Sequence, residues 1–269
     1  MATSHAMDHD QKTDAVLYTV SGAIAEARLN RPEKLNPLST EMVEGLSAAV
    51  DRAYADRAAV LIIRGNGRAF MAGGDLQRLA KVDPTSGVGL MIGAIHHCLE
   101  RMAAAPFITI AAVHGPVAGA GLSLAMNADL AIAADDARFT MAYARIGASP
   151  DCGGTYALPR LVGLRRAMEI ALFADDFSAE EAERIGLINR VVPAADLDDA
   201  VRAMAERLAR GPRQAQARTK ALLRQSFDND LTAQLSAEET AFRASAATPD
   251  FKEGVTAFLE KRKPKFGDG

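Results

Sequence analysis

Two short apolar-rich runs, residues 15–20 and 24–29, flank Ser21-Gly22 and predict a β-hairpin. A polar loop follows, Asn30-Arg31-Pro32-Glu33-Lys34-Leu35-Asn36-Pro37. Met42, Val43, Leu46, Ala49, Val50 and Ala53 then recur at helical spacing. Residues 58–63 form a continuous apolar run of strand length that ends in the turn Arg64-Gly65-Asn66-Gly67. A helix is expected over 91–103, stopped by Pro106, then a buried strand over 107–113. After a glycine-rich turn, a helix over 122–127 and a strand over 129–133 complete the alternation. Strands alternating with helices predict an α/β fold with a mostly parallel sheet.

Beyond about residue 190 the strand pattern stops. Ser178 and Glu181 have the spacing of a capping box, and Gly186 follows the short helix it would open. Helices are expected over 195–209, 212–225, 231–245 and 250–262, with Pro212 suited to a helix start. The reading is a leader over 1–12, an α/β core with the ligand pocket over 13–194, and a helical oligomerisation region over 195–269. The polar start carries His5 and His9 and lacks the apolar segment of a signal peptide, so it is left out of the fold.

The chain has 269 residues, 49% hydrophobic and 24% charged, and a net charge of −3. That balance argues against nucleic acid as a partner. The densest basic stretch is Lys261-Arg262-Lys263-Pro264-Lys265. No run of about 18 apolar residues occurs, so no membrane span is expected. Two cysteines, Cys98 and Cys152, make neither a disulfide framework nor a zinc pattern. A reducing, cytoplasmic setting and no metal fit best.

Two glycine-marked turns leave predicted strand ends, where parallel sheets place ligands. One is Arg68-Ala69-Phe70-Met71-Ala72-Gly73-Gly74-Asp75-Leu76. The other is His114-Gly115-Pro116-Val117-Ala118-Gly119-Ala120-Gly121-Leu122. Small residues let backbone N–H groups approach a ligand, and a helix N-terminus adds unpaired donors. Two amides converging on one oxygen make an oxyanion hole, worth about 3 kcal/mol per donor. Alone, each turn is also compatible with a plain connection. A dinucleotide fingerprint fails because Leu124 stands where glycine or alanine is needed, and no Gly-Lys-Ser/Thr P-loop occurs.

These turns, together with Leu29-Asn30-Arg31-Pro32-Glu33-Lys34-Leu35-Asn36, Gly153-Gly154-Thr155, Leu158-Pro159-Arg160-Leu161-Val162-Gly163, Glu253-Gly254 and Phe258-Leu259-Glu260-Lys261, resemble the crotonase family, the enoyl-CoA hydratase/isomerase superfamily. The likeness runs from about 16 to 266. It implies a crotonase-like spiral of ββα units, a C-terminal helical trimerisation region, and a homotrimer or dimer of trimers. It implies an acyl-CoA thioester substrate from fatty acid metabolism or a related route, with coenzyme A entering as part of the substrate and no separate cofactor. It places the oxyanion donors at the backbone of Met71 and Ala120. Lys34, Ala69, Ala72, Asp75 and Leu76 would lie along coenzyme A, and Phe258 and Lys261 would reach a neighbouring subunit's ligand.

The family's hydratases use two glutamates, and the matching positions here are Ser123 and Tyr143, which would line the acyl pocket. Asp151, in Ser149-Pro150-Asp151-Cys152-Gly153-Gly154, resembles the single acid of the double-bond isomerases and of the ring-expanding isomerases of phenylacetate breakdown. One carboxylate suffices to move a proton between two carbons of an enolate. The alternative for Asp151 is a helix cap at Gly153-Gly154. His96 and His97 sit on a predicted helix, one expected to turn toward the pocket or core. An acyl-CoA isomerase is therefore expected. A hydratase or thioester hydrolase on the same scaffold and a non-catalytic acyl-CoA-binding protein are the alternatives.

Overall fold

The computed structural model describes residues 14–81 and 87–267. The expected leader with His5 and His9 lies outside the described residues, as do residues 82–86.

The hairpin forms as its pattern predicts, from β1 (Val16–Ser21) and β2 (Ile24–Leu29), paired antiparallel across Gly22. β3 (Val60–Gly65), β4 (Ile108–Val113), β6 (Leu130–Ala134) and β9 (Arg190–Val192) then add in parallel, in the order β1-β2-β3-β4-β6-β9. A smaller sheet sets β7 (Arg138–Thr140) between β5 (Pro116–Ala118) and β8 (Phe177–Ser178). The chain lays β4 in the large sheet and β5 in the small one, then repeats the step with β6 and β7.

β3 and β4 are buried along their whole length, which is why they read as unbroken apolar runs rather than alternations. Alternate residues still serve different layers. Leu61, Ile63, Ala111, Val113, Ala131 and Ala133 face the larger core. Val60, Ile62, Ile110, Ala112, Ile132 and Ala134 face Leu197, Val201 and Ala205. The larger core takes the apolar stripe of α1 (Thr40–Ala55), capped where the Ser39 hydroxyl accepts from Met42 N–H at 3.3 Å. It also takes Ile95, Cys98, Leu99 and Met102 of α3 (Gly87–Ala104).

The helices from α8 (Leu197–Ala209) onward are α9 (Arg213–Gln225), α10 (Leu231–Ala246) and α11 (Pro249–Leu259). Among the described residues no strand follows β9, and α8 supplies the second core layer against the sheet. α9 is anchored by a buried charge. Lys220, 7% exposed, donates from Nζ to the carbonyls of Met102 (2.8 Å) and Phe107 (3.0 Å). It also pairs with Asp129 at 2.8 Å, and Arg224 pairs with the same carboxylate at 2.7 Å. Asp129 further accepts from the N–H and hydroxyl of Thr109, where β4 runs beside the loop that enters β6.

Removing one member of a buried ionic group costs far more than the pair is worth, because the other charges stay behind. Lys220→Ala is expected to lower unfolding stability by about 3 kcal/mol. Urea denaturation measures this; a loss under about 1 kcal/mol would show that water replaces the ammonium group.

Candidate active site

The two glycine-marked turns leave neighbouring parallel strands, β3 and β4, on the same edge of the sheet. They pack backbone against backbone. A Cβ on Gly115 would lie 2.0 Å from Arg68 O, and one on Gly121 would lie 2.1 Å from Met71 O. Only glycine allows these approaches.

Asn36, wholly buried at φ 53°, ties in the polar loop. Its Nδ2 donates to the carbonyls of Asn66 and Ala69, both at 2.9 Å, and its Oδ1 accepts from Arg31 N–H at 2.8 Å. Residues 71–74 thereby run between the 35–38 segment and β5. Met71 bridges Val117 and its carbonyl accepts from Ala118 N–H at 3.0 Å. On the other side Leu38 bridges Gly74, with Leu38 N–H donating to Gly73 O (2.8 Å) and Asp75 N–H to Leu38 O (3.1 Å).

The N–H and C=O of one extended residue point the same way and alternate along the chain. Met71, 0% exposed, therefore directs its amide into β5 rather than outward. Gly74 directs its amide away from Leu38, toward the side where Gly119 lies; a Cβ on Gly119 would meet Gly73 Cα at 3.7 Å. Ala120 is the first residue of α4 (Ala120–Asn127), behind a Gly119 N-cap with no side-chain cap, so its N–H has no intrahelical partner. The amides that the two turns turn toward one another are those of Gly74 and Ala120, not Met71 and Ala120. The signal in the sequence was the Gly73-Gly74 pair directly before Asp75.

Ser123, Tyr143 and Asp151 come together from three segments. Ser123, wholly buried on α4, lies with its Oγ 3.3 Å from the Tyr143 hydroxyl. Tyr143, on the 3-10 turn Ala142–Ile146, donates its hydroxyl proton to Asp151 Oδ1. Burial pushes the phenol up beyond its ordinary range, and the neighbouring Cys152 and Asp151 add to this. Asp151 does not cap the next helix. The N-cap of α5 (Gly154–Val162) is Gly153, with no side-chain bond. Cys152 (φ 51°) and Gly153 (φ 70°) form a left-handed corner instead. Burial, then the Asp151 charge, pushes the Cys152 thiol up, so it stays a neutral thiol.

Asn127, which sequence reasoning passed over, holds this corner. Its Nδ2 donates to Ser123 O at 2.8 Å and to Cys152 O at 3.0 Å, joining the end of α4 to the turn that carries Asp151.

A family model described as enoyl-CoA hydratase/isomerase matches residues 19–269. The chain belongs to the enoyl-CoA hydratase/isomerase family. It is 42% identical over 256 residues to a Rhodobacter capsulatus protein named "probable enoyl-CoA hydratase", covering 93% of this chain and 97% of that one. It is 38% identical over 256 residues to the 1,2-epoxyphenylacetyl-CoA isomerase of Escherichia coli K12, with the same coverage. A crystal structure of an enoyl-CoA hydratase from Polaromonas sp. JS666 superposes with a TM-score of 0.89 at 32% identity, covering 94% of this chain and 99% of that one. The crotonase-like fold is thus shown, and membership in the enoyl-CoA hydratase/isomerase family makes this an enzyme of acyl-CoA chemistry.

For this crotonase, the positions expected along coenzyme A divide by exposure. Lys34 and Leu76 are exposed, and Ala72 and Asp75 half-buried, so all four reach the surface. Asp75 also caps the short α2 (Leu76–Leu79), accepting from Arg78 N–H at 3.2 Å. Ala69 is 0% exposed with its carbonyl bonded to Asn36, so it is enclosed rather than open to a ligand. Phe258 is 82% exposed at the end of α11, with Lys261 just beyond, and α11 packs on α10. His96 and His97 are both exposed on α3, so neither turns into the core. Arg145 binds Ala174 O at 2.6 Å and Asp176 at 3.1 Å. Among the described residues no group of three or more His, Cys, Asp or Glu could hold a metal, and no helix is long and apolar enough to cross a membrane.

Gly121→Ala must force Met71 O away, and overpacking of this kind costs about 1–3 kcal/mol. The expected outcome is a lowered Tm together with weakened coenzyme A ester binding. Gly93→Ala, in α3 with nothing within 4 Å of the added Cβ, is the control and should be neutral or stabilising. Calorimetry and titration of both variants check the pair; equal behaviour would refute the close-packing argument.

Proposed function

We propose that this crotonase is an acyl-CoA isomerase that shifts a double bond with Asp151 as its single proton shuttle. The observation that carries the reading is the Ser123–Tyr143–Asp151 cluster. The two positions matching the hydratase glutamates hold hydroxyls, and Asp151 is the only carboxylate bonded within the cluster among the described residues.

In the proposed reaction the thioester oxygen lies between the amides of Ala120 and Gly74, which takes the place first expected for Met71. Asp151 removes a proton from C2 of a 3-enoyl-CoA. The electrons delocalise into a dienolate whose oxygen the two amides stabilise. The carboxylic acid then returns the proton to C4, giving the 2-enoyl-CoA with nothing gained or lost. Lys34, Ala72, Asp75 and Leu76 border the coenzyme A. Phe258 and Lys261 come from a neighbouring subunit of a trimer or dimer of trimers. Exposed apolar side chains such as Leu172 (68%), Phe173 (72%) and Leu231 (74%) support self-association.

The test is a mass-resolved assay in deuterated water with 3-hexenoyl-CoA and 2-hexenoyl-CoA. A shifted double bond, with no mass change beyond exchanged deuterium, is expected. Asp151→Asn should lower kcat by about 100-fold or more while leaving coenzyme A ester binding nearly unchanged. An unaffected Asp151→Asn variant sinks the assignment. Addition of one water would instead establish a hydratase, the activity in the Rhodobacter capsulatus relative's name, and release of free coenzyme A a thioester hydrolase. Binding without turnover would leave an acyl-CoA-binding protein.

A further inference from the structure

We propose that Tyr143 is a positioning residue for Asp151, held in turn by Ser123, so that the two positions matching the hydratase glutamates work here as one hydrogen-bond relay ending on the acid. The inference rests on the isomerase reading and concerns how its acid is kept ready.

The direction of each bond follows from proton counting. A tyrosine hydroxyl has one proton, and Tyr143 gives it to Asp151 Oδ1. The contact between Ser123 Oγ and the Tyr143 hydroxyl, 3.3 Å, must then be donated by Ser123. The chain of donors runs Ser123 to Tyr143 to Asp151. The phenol is buried and its ionisation pushed up, so it remains a donor across the working range.

The relay is held at both ends. A Cβ on Gly154 would lie 2.7 Å from Ser123 Oγ, so a larger residue there would displace the serine hydroxyl from its place beside the Asp151 turn. Asn127 fixes the backbone of Ser123 and of Cys152 together. The titratable groups that meet Asp151 are Tyr143 and the Cys152 thiol, which is itself neutral. From α4 the polar groups of the cluster are the uncharged Ser123 and Asn127. The phenol is thus the hydroxyl donor that the cluster turns onto this carboxylate. The bond from the phenol fixes the rotation of the Asp151 carboxyl group.

The test is the pH dependence of kcat and kcat/KM for the wild type, Tyr143→Phe and Ser123→Ala with 3-hexenoyl-CoA. Losing a hydrogen bond to a charged group should move the acid limb of the Tyr143→Phe profile upward by about one pH unit. Its kcat at neutral pH should fall by about tenfold with KM changed less than about twofold. Ser123→Ala, which removes only the first donor, should shift the limb the same way by less and serves if Tyr143→Phe does not fold. An acid limb that stays in place, whatever happens to kcat, overturns the proposal, because a merely space-filling tyrosine would lower activity without moving it. If Asp151→Asn is inactive and the limb does not move, the isomerase reading stands and only the relay fails. If Asp151→Asn is active, both fail.

Discussion

The contact on which the site depends is backbone against backbone, with no side chain between. Met71 O faces the α-carbon of Gly121, and Arg68 O that of Gly115, each at a distance no Cβ could share. Two neighbouring strand ends are thereby brought closer than ordinary packing permits. The first consequence is that the amides of Gly74 and Ala120 can look across a narrow gap. The second is that residues 71–74 become the middle of a small extended layer, braced by Leu38 on one side and Val117 on the other. In the proposed reaction, charge developing on an oxygen in that gap would meet dipoles already in place.

The rest of the fold keeps this contact from relaxing. Asn36 spends its side-chain amide on carbonyls of the turn, so the polar loop is pinned where it would otherwise splay. On the far side, Asp129 gathers Thr109, Lys220 and Arg224, clamping β4 and the entrance of β6 to α9. Buried ionic groups of this sort add little net stability, yet they punish any alternative placement of their partners. The register of β4 against β6 fixes where both of their following turns begin, so this clamp acts on the site through the strands.

The main sheet was legible in the sequence because β3 and β4 are covered on both faces and leave continuous apolar runs, and α1 because its stripe keeps helical period. The small sheet was not. β5, β7 and β8 have two or three residues each, too short for any period to show. The boundary at 195 marked where strands stop, but burial of Leu197, Val201 and Ala205 is decided by the exposed face of the sheet, which no local pattern reports. In the site, the meeting of Ser123, Tyr143 and Asp151 is plain in the fold, whereas the choice between Met71 and Gly74 turned on the direction of single amides. That direction alternates residue by residue and is set by neighbours far along the chain. Ala69 shows the same limit: its type suited a ligand contact, and its carbonyl was already taken.

Helix α4 carries an amide donor at its first residue and, at its last, the asparagine that holds the Asp151 corner. Between them stands Ser123, three residues after Ala120, about 4.5 Å of helical rise and nearly one full turn further on. One short rigid element thus carries an amide donor, the serine end of the Ser123–Tyr143–Asp151 cluster and the tie to the corner from which Asp151 projects. Donor and cluster cannot drift apart unless the helix itself unwinds.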